Sequence, residues 1–143
     1  TAEHIELMLG PFRDAPETQV STLKVAIAPE KAHDPNNVKV VADLRGRALY
    51  FSRALIPHDR NKSGRVQFFK HLGLYAYSSQ ALERFRSLPP SPLEHLEKLE
   101  QLRFLENGVP IHVVETSQDT IGVDLEEDLK RVEEYFRQAG DVL

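Results

Sequence analysis

Two β-prone runs, Val38 to Asp43 and Arg47 to Ser52, are separated only by Leu44-Arg45-Gly46. So short a connection joins neighbouring antiparallel strands, and its glycine can take the left-handed conformation such loops need. A third run, Phe68 to Tyr77, alternates so that Phe69, His71, Gly73, Tyr75 and Tyr77 share one face, with Phe68, Lys70, Leu72, Leu74 and Ala76 on the other. Gln19 to Ala28 and Ile111 to Glu115 read as further strands. Between them lie helical patterns: Thr1 caps a segment reaching about Arg13, and Gln80 to Arg86 stops before Pro89-Pro90. Ser91 caps a helix running to about Asn107 and closed by Gly108, and Leu125 to Gln138 carries Leu129, Val132 and Phe136 on one side. The alternation predicts an α/β domain, a mixed sheet with flanking helices and a β-hairpin.

The 143 residues suit one domain over residues 1–143, able to bury roughly 70% of its unfolded surface. A net charge of -4 lacks the basic excess of nucleic-acid-binding chains, so nucleic acid is not an expected partner. No apolar run approaches the ~18 residues that span a bilayer and no signal-peptide pattern opens the chain, so no membrane partner and a cytoplasmic location are expected. Without cysteine there are no disulfides, thiolate nucleophiles or cysteine-ligated metals. The six histidines show no HExxH spacing, and there is no GxSxG elbow.

Polar residues on the strands carry the chemistry. His71 and Tyr75 point the same way with Gly73 between them, and glycine inside a strand marks a place where a ligand or another backbone comes close. Arg53 ends the second hairpin strand, and Arg60 follows Ile56-Pro57. A guanidinium pairs with a carboxylate through two parallel hydrogen bonds, so these residues suit an acidic, hydroxyl-rich small molecule. A satisfied histidine–tyrosine pair and solvated arginines fit the same pattern. In the Ser91 helix, about 100° per residue places Glu100 between Leu93 and Leu96, inside the leucine stripe, with Glu94, Lys98 and Gln101 on the polar side. A buried Glu100 carboxylate would require an arginine, a hydroxyl or a ligand, or would reach out from the stripe's edge. Asp124 with Glu127 fits a capping box.

Residues 34–60 (DPNNVKVVADLRGRALYFSRALIPHDR), 70–77 (KHLGLYAY), 91–103 (SPLEHLEKLEQLR) and 121–129 (IGVDLEEDL), in this order and spacing, resemble the carboxyl-terminal half of the 3-deoxy-manno-octulosonate cytidylyltransferase family. That resemblance implies a partial nucleotide-diphospho-sugar transferase-like, Rossmann-like fold. It also implies an enzyme that joins CMP from CTP to the eight-carbon acidic sugar 3-deoxy-D-manno-octulosonate (KDO) for lipopolysaccharide, releasing pyrophosphate. In this family's pattern Arg53, Arg60, His71, Tyr75, Glu100 and Gln101 would contact the sugar. Asp124 would ligate Mg²⁺, and the protein would be a homodimer.

The sequence departs from that pattern in two ways. Leu125 and Glu126 stand where the family usually has threonine and proline after the aspartate. The seven glycines, at 10, 46, 64, 73, 108, 122 and 140, never cluster into a phosphate-cradling loop, so the nucleotide-binding half and the catalytic groups it would supply are expected to lie outside this sequence. The chain on its own is therefore expected to be inactive. A cytidylyltransferase for another sugar acid, sialic acid or an amino-substituted KDO, and a non-catalytic dimerisation module are the competing expectations.

Overall fold

The computed structural model describes residues 1–120 together with 132–134 and 137. Thr1 caps α1 (Ala2–Asp14), its hydroxyl accepting from the His4 amide, and α1 buries His4 and Met8. Next come β1 (Val20–Ile27), the single turn α2 (Pro29–Ala32), the hairpin β2 (Lys39–Ala42) and β3 (Ala48–Ser52), and the long β4 (Phe68–Tyr77). Then follow α3 (Ser79–Ser87), α4 (Pro92–Glu97), α5 (Leu102–Glu106) and β5 (Ile111–Thr116). The sheet order is β3-β2-β4-β1-β5, with β1 and β5 parallel and the other pairs antiparallel.

The hairpin forms where the short connection requires it, and Gly46 takes the left-handed φ of +75°. β2 joins β4 only at Lys39–Lys70, so the rest of the hairpin diverges from the sheet. Its tip reaches the opposite edge, where the Val113 amide donates to the Gly46 carbonyl at 2.7 Å and Arg47 bridges His112. One apolar cluster therefore lies between hairpin, α5 and sheet, centred on Val40, Phe51, Leu102, Phe104 and Ile111. A second, of Met8, Leu23, Val25, Phe68 and Leu72, lies against the other face. β1 is buried along most of its length because both of its faces are covered.

β4 keeps the alternation expected of it. Phe69 and Tyr75 pack on the first cluster, while Phe68, Leu72 and Ala76 pack on the second. The pairing with β1 skips from Tyr75 opposite Thr22 to Leu72 opposite Leu23, so Gly73 and Leu74 form a two-residue bulge. An even number of extra residues leaves the facing of all later side chains unchanged. Gly73 is exposed, and no atom outside its neighbours lies within 4 Å of where its Cβ would be, so no neighbouring backbone presses on it.

The single helix expected from Ser91 to Asn107 is instead two helices. Lys98 adopts a left-handed conformation at φ +55°, and its amide and that of Leu99 both return to the Glu94 carbonyl. This is how a helix ends, and it redirects every side chain beyond it. Glu100, placed in the leucine stripe by periodicity, is exposed, and Leu96 is 79% exposed. Glu94 and Gln101, assigned to the polar side, are both buried. The terminal helix expected over 125–138 lies almost wholly outside the described residues. Among the described residues no helix is long and apolar enough to cross a membrane.

Candidate functional site

The bulge in β4, the start of β2, the end of β3 and the α4–α5 junction surround a cleft of about 740 Å³. Arg53, His71, Tyr75, Glu100 and Gln101 all line it, although they come from β4, the residue after β3 and the α4–α5 junction. Arg60 does not line it; it sits exposed in the loop between β3 and β4.

His71 is held by its neighbours on the sheet. Its Nε2 lies 3.0 Å from the Thr22 hydroxyl, which lies 2.7 Å from the Leu74 carbonyl and 3.1 Å from that of Leu72. A hydroxyl has one proton to donate, and carbonyls can only accept, so Thr22 accepts from His71 and the imidazole proton sits on Nε2. That leaves Nδ1 as an acceptor. Burial lowers the His71 pKa to about 4, so the ring is neutral at physiological pH. Phe51 meets the ring edge-on at 4.8 Å between centroids, and Tyr75 lies 5.4 Å away on the cleft side. Tyr75 stacks on Tyr77 at 5.5 Å, and Tyr77 on Phe104 at 5.9 Å, forming an aromatic wall. Burial pushes both phenols up, keeping them protonated and able to donate.

Arg53 is fixed by backbone contacts. Its Nε donates to the Glu97 carbonyl at 2.9 Å and its Nη1 to the Pro35 carbonyl at 3.2 Å. Its amide donates to the Glu97 carboxylate at 2.9 Å, and its carbonyl accepts from Lys39 Nζ at 2.7 Å. Among the described residues no carboxylate pairs with its guanidinium, so a charged fork that matches a carboxylate stands at the cleft.

Gln101 follows from the helix break. It is 6% exposed and its Nε2 has no hydrogen-bond partner among the described residues, at the wall of an open cleft. A buried amide left unpaired is costly, and a hydroxyl or carboxylate in the cleft would satisfy it. Glu100 and Lys98 sit beside it at the exposed rim, and Lys70, on the β4 side, is paired with Asp119 at 2.9 Å. Together the cleft offers the Arg53, Lys70 and Lys98 cations, neutral donors and acceptors, one carboxylate and a stack of rings. That is the equipment for orienting a polyhydroxylated acid.

Thr22, Lys39 and Glu97 were not singled out from the sequence. Lys39 had a detectable signal, a charge between Val38 and Val40 in an apolar run. Thr22 and Glu97 had none, since their partners are 49 and 44 residues away. Asp124 lies outside the described residues, and no three histidine or acidic side chains converge on a metal-sized site among those described.

Residues 1–117 match the cytidylyltransferase family. The chain is 56% identical over 135 residues to 3-deoxy-manno-octulosonate cytidylyltransferase of Koribacter versatilis, covering 94% of this chain and 51% of that protein. It is 55% identical to the protein of the same name from Acidobacterium capsulatum, covering 95% and 55%. A solved structure of CMP:2-keto-3-deoxy-manno-octonic acid synthetase complexed with CTP superposes with a TM-score of 0.91 at 38% identity, covering 96% of this chain and 57% of that one. The chain thus spans about half the length of the curated relatives it matches, and its mixed sheet with flanking helices is the fold of that synthetase.

Proposed function

This chain belongs to the cytidylyltransferase family, and from that premise we propose that it supplies the sugar-acid side of an enzyme that activates KDO with CTP to give CMP-KDO and pyrophosphate. The observation that carries this reading is the cleft itself. Five polar residues from three stretches of chain converge there, including an arginine without a carboxylate partner and a buried amide without any partner among the described residues.

In this reading the sugar carboxylate lies against Arg53 through paired charge-assisted hydrogen bonds. His71 Nδ1 accepts from one sugar hydroxyl, and Tyr75 donates to another. Gln101 Nε2 donates to an oxygen that satisfies it, and Glu100 accepts from hydroxyls at the rim. Arg60, which the family pattern implies as a further sugar contact, lies exposed outside this cleft and takes no part in this arrangement. Holding the acid at several points leaves its anomeric hydroxyl in one orientation, which recovers the entropy of a bimolecular encounter. In the reaction that hydroxyl oxygen bonds to the α-phosphorus of CTP, the bond to the β-phosphate oxygen breaks, pyrophosphate departs, and the hydroxyl proton is lost to solvent or a base.

Mg²⁺ would neutralise phosphate charge in such a reaction. The described residues assemble no site for it, so its proposed ligation rests on Asp124 and on groups these residues do not supply. We assign the whole protein to lipopolysaccharide biosynthesis in the cytoplasm and to a homodimer. Leu44 at the hairpin tip is fully exposed and Leu49 on β3 is 62% exposed, which supports a second role of the hairpin in association.

Calorimetric titration of the chain with KDO, sialic acid and gluconate tests the reading. Selective KDO binding that weakens at least tenfold in Arg53→Ala supports it. Equal binding of all three acids, or no binding, refutes it for this chain.

A further inference from the structure

Among the described residues Lys39 has the largest fully buried side chain, and it is of a charged type. Burying an ammonium is unfavourable unless it is paired, yet no carboxylate meets it among the described residues. Its two hydrogen bonds go to carbonyls, Asp34 at 3.0 Å and Arg53 at 2.7 Å. The first belongs to the residue before Pro35, whose own carbonyl accepts from Arg53 Nη1. Lys39 thus ties down both Arg53 and the segment that receives its guanidinium.

Glu97 holds the opposite side. Its carboxylate accepts from the Arg53 amide at 2.9 Å and from the Ser52 hydroxyl at 2.6 Å, while its main-chain carbonyl accepts from Arg53 Nε at 2.9 Å. Ser52 Oγ in turn accepts from the Ala54 amide at 2.9 Å. These bonds engage two of the five guanidinium N–H donors, and the described residues occupy none of the other three. Lys39 and Arg53 bring two positive charges to the cleft wall, offset in part by the Glu97 carboxylate and by that of Asp34 near Lys39.

We propose that Lys39 and Glu97 are positioning residues that lock the Arg53 guanidinium in the orientation that receives an anionic ligand in the cleft. Neither touches the ligand. The inference rests on the functional reading above only for the identity of that ligand. A charge buried against carbonyls alone is explained if its task is to hold those carbonyls and to add field to the arginine beside it. A hydrophobic side chain at position 39 would fill the same space without either effect.

The test uses the ¹⁵N-labelled chain, with the Arg53 Nε–H signal assigned by its loss in Arg53→Lys. Wild type should show a sharp, slowly exchanging signal. In Lys39→Met that proton should exchange at least tenfold faster, and KDO should bind at least tenfold more weakly, while the amide signals of β1 and β4 persist. An unchanged exchange rate, or unchanged KDO affinity where wild type binds KDO, overturns the proposal. If Lys39→Met does not fold, Glu97→Gln carries the test, because it keeps the size and one acceptor oxygen while replacing the other with an NH2 donor and removing the charge. It should speed Arg53 exchange severalfold and weaken KDO at least threefold, and no change in either overturns the proposal. A wild-type chain that does not bind KDO refutes the functional reading separately, and the Arg53 exchange rates in the two variants then decide this one.

Discussion

Arg103 Nε donates to Glu94 Oε2 at 2.7 Å, and the same two side chains form an ion pair, although nine residues separate them. In one continuous helix that separation is about 13.5 Å along the axis, beyond the reach of the pair. Glu94 also accepts from the Ser91 amide at 3.1 Å, and the arginine beside it holds its carboxyl below the usual range. The pair therefore fastens α4 to α5 across the break and sets where Gln101 lies. Arg103→Lys loses the two-pronged geometry. Its expected result is a melting temperature lower by roughly 5 °C, with weaker KDO binding; unchanged melting would show that the pair does not hold the break.

Lys98 lies at φ +55° without being glycine. A left-handed conformation costs an ordinary residue about 1 kcal/mol, so Lys98→Gly should stabilise the chain by up to that amount. Denaturant unfolding would report it, and a destabilised variant would mean that the lysine side chain contributes more than its backbone strain costs.

Gln101 couples stability to binding in opposite directions. Replacing a buried, unpartnered amide with an apolar side chain of similar size should leave stability unchanged or raise it by about 1 kcal/mol. Gln101→Leu should nevertheless bind KDO at least tenfold more weakly. A variant that loses stability as well as binding would assign the residue a packing role.

His71 predicts a pH dependence. Its folded pKa of about 4 lies below the ordinary 6.5, with burial as the cause, and Thr22, Phe51 and Tyr75 around it carry no charge at neutral pH. Between these values the unfolded chain binds the proton and the folded chain does not. The stability tied to the neutral ring is thus present above pH 6.5 and lost as pH falls towards 4, by about 3 kcal/mol at most. His71→Gln keeps a donor for Thr22 and should flatten this part of the stability curve. An equal slope in the variant would place the acid sensitivity elsewhere.

The strands, the hairpin with its glycine, and the two faces of β4 were legible in the sequence because each follows from local chemistry. Periodicity fixes which side chains share a face, and the two-residue bulge at Gly73-Leu74 preserved that parity. The family pattern likewise pointed to six residues, and the fold gathers five of them around one cleft while Arg60 stays outside it. Tertiary structure alone decided the rest. No local rule predicts a left-handed lysine in a good helical sequence; that break exists where Glu94 meets Arg103 and where Leu99, Leu102 and Phe104 reach the core. The same holds for Lys39, Arg53 and Glu97, whose hydrogen bonds join β2, the residue after β3 and α4. Sequence spacing determines which way a side chain points along its own element, whereas the partners it meets depend on burial that only the folded chain creates.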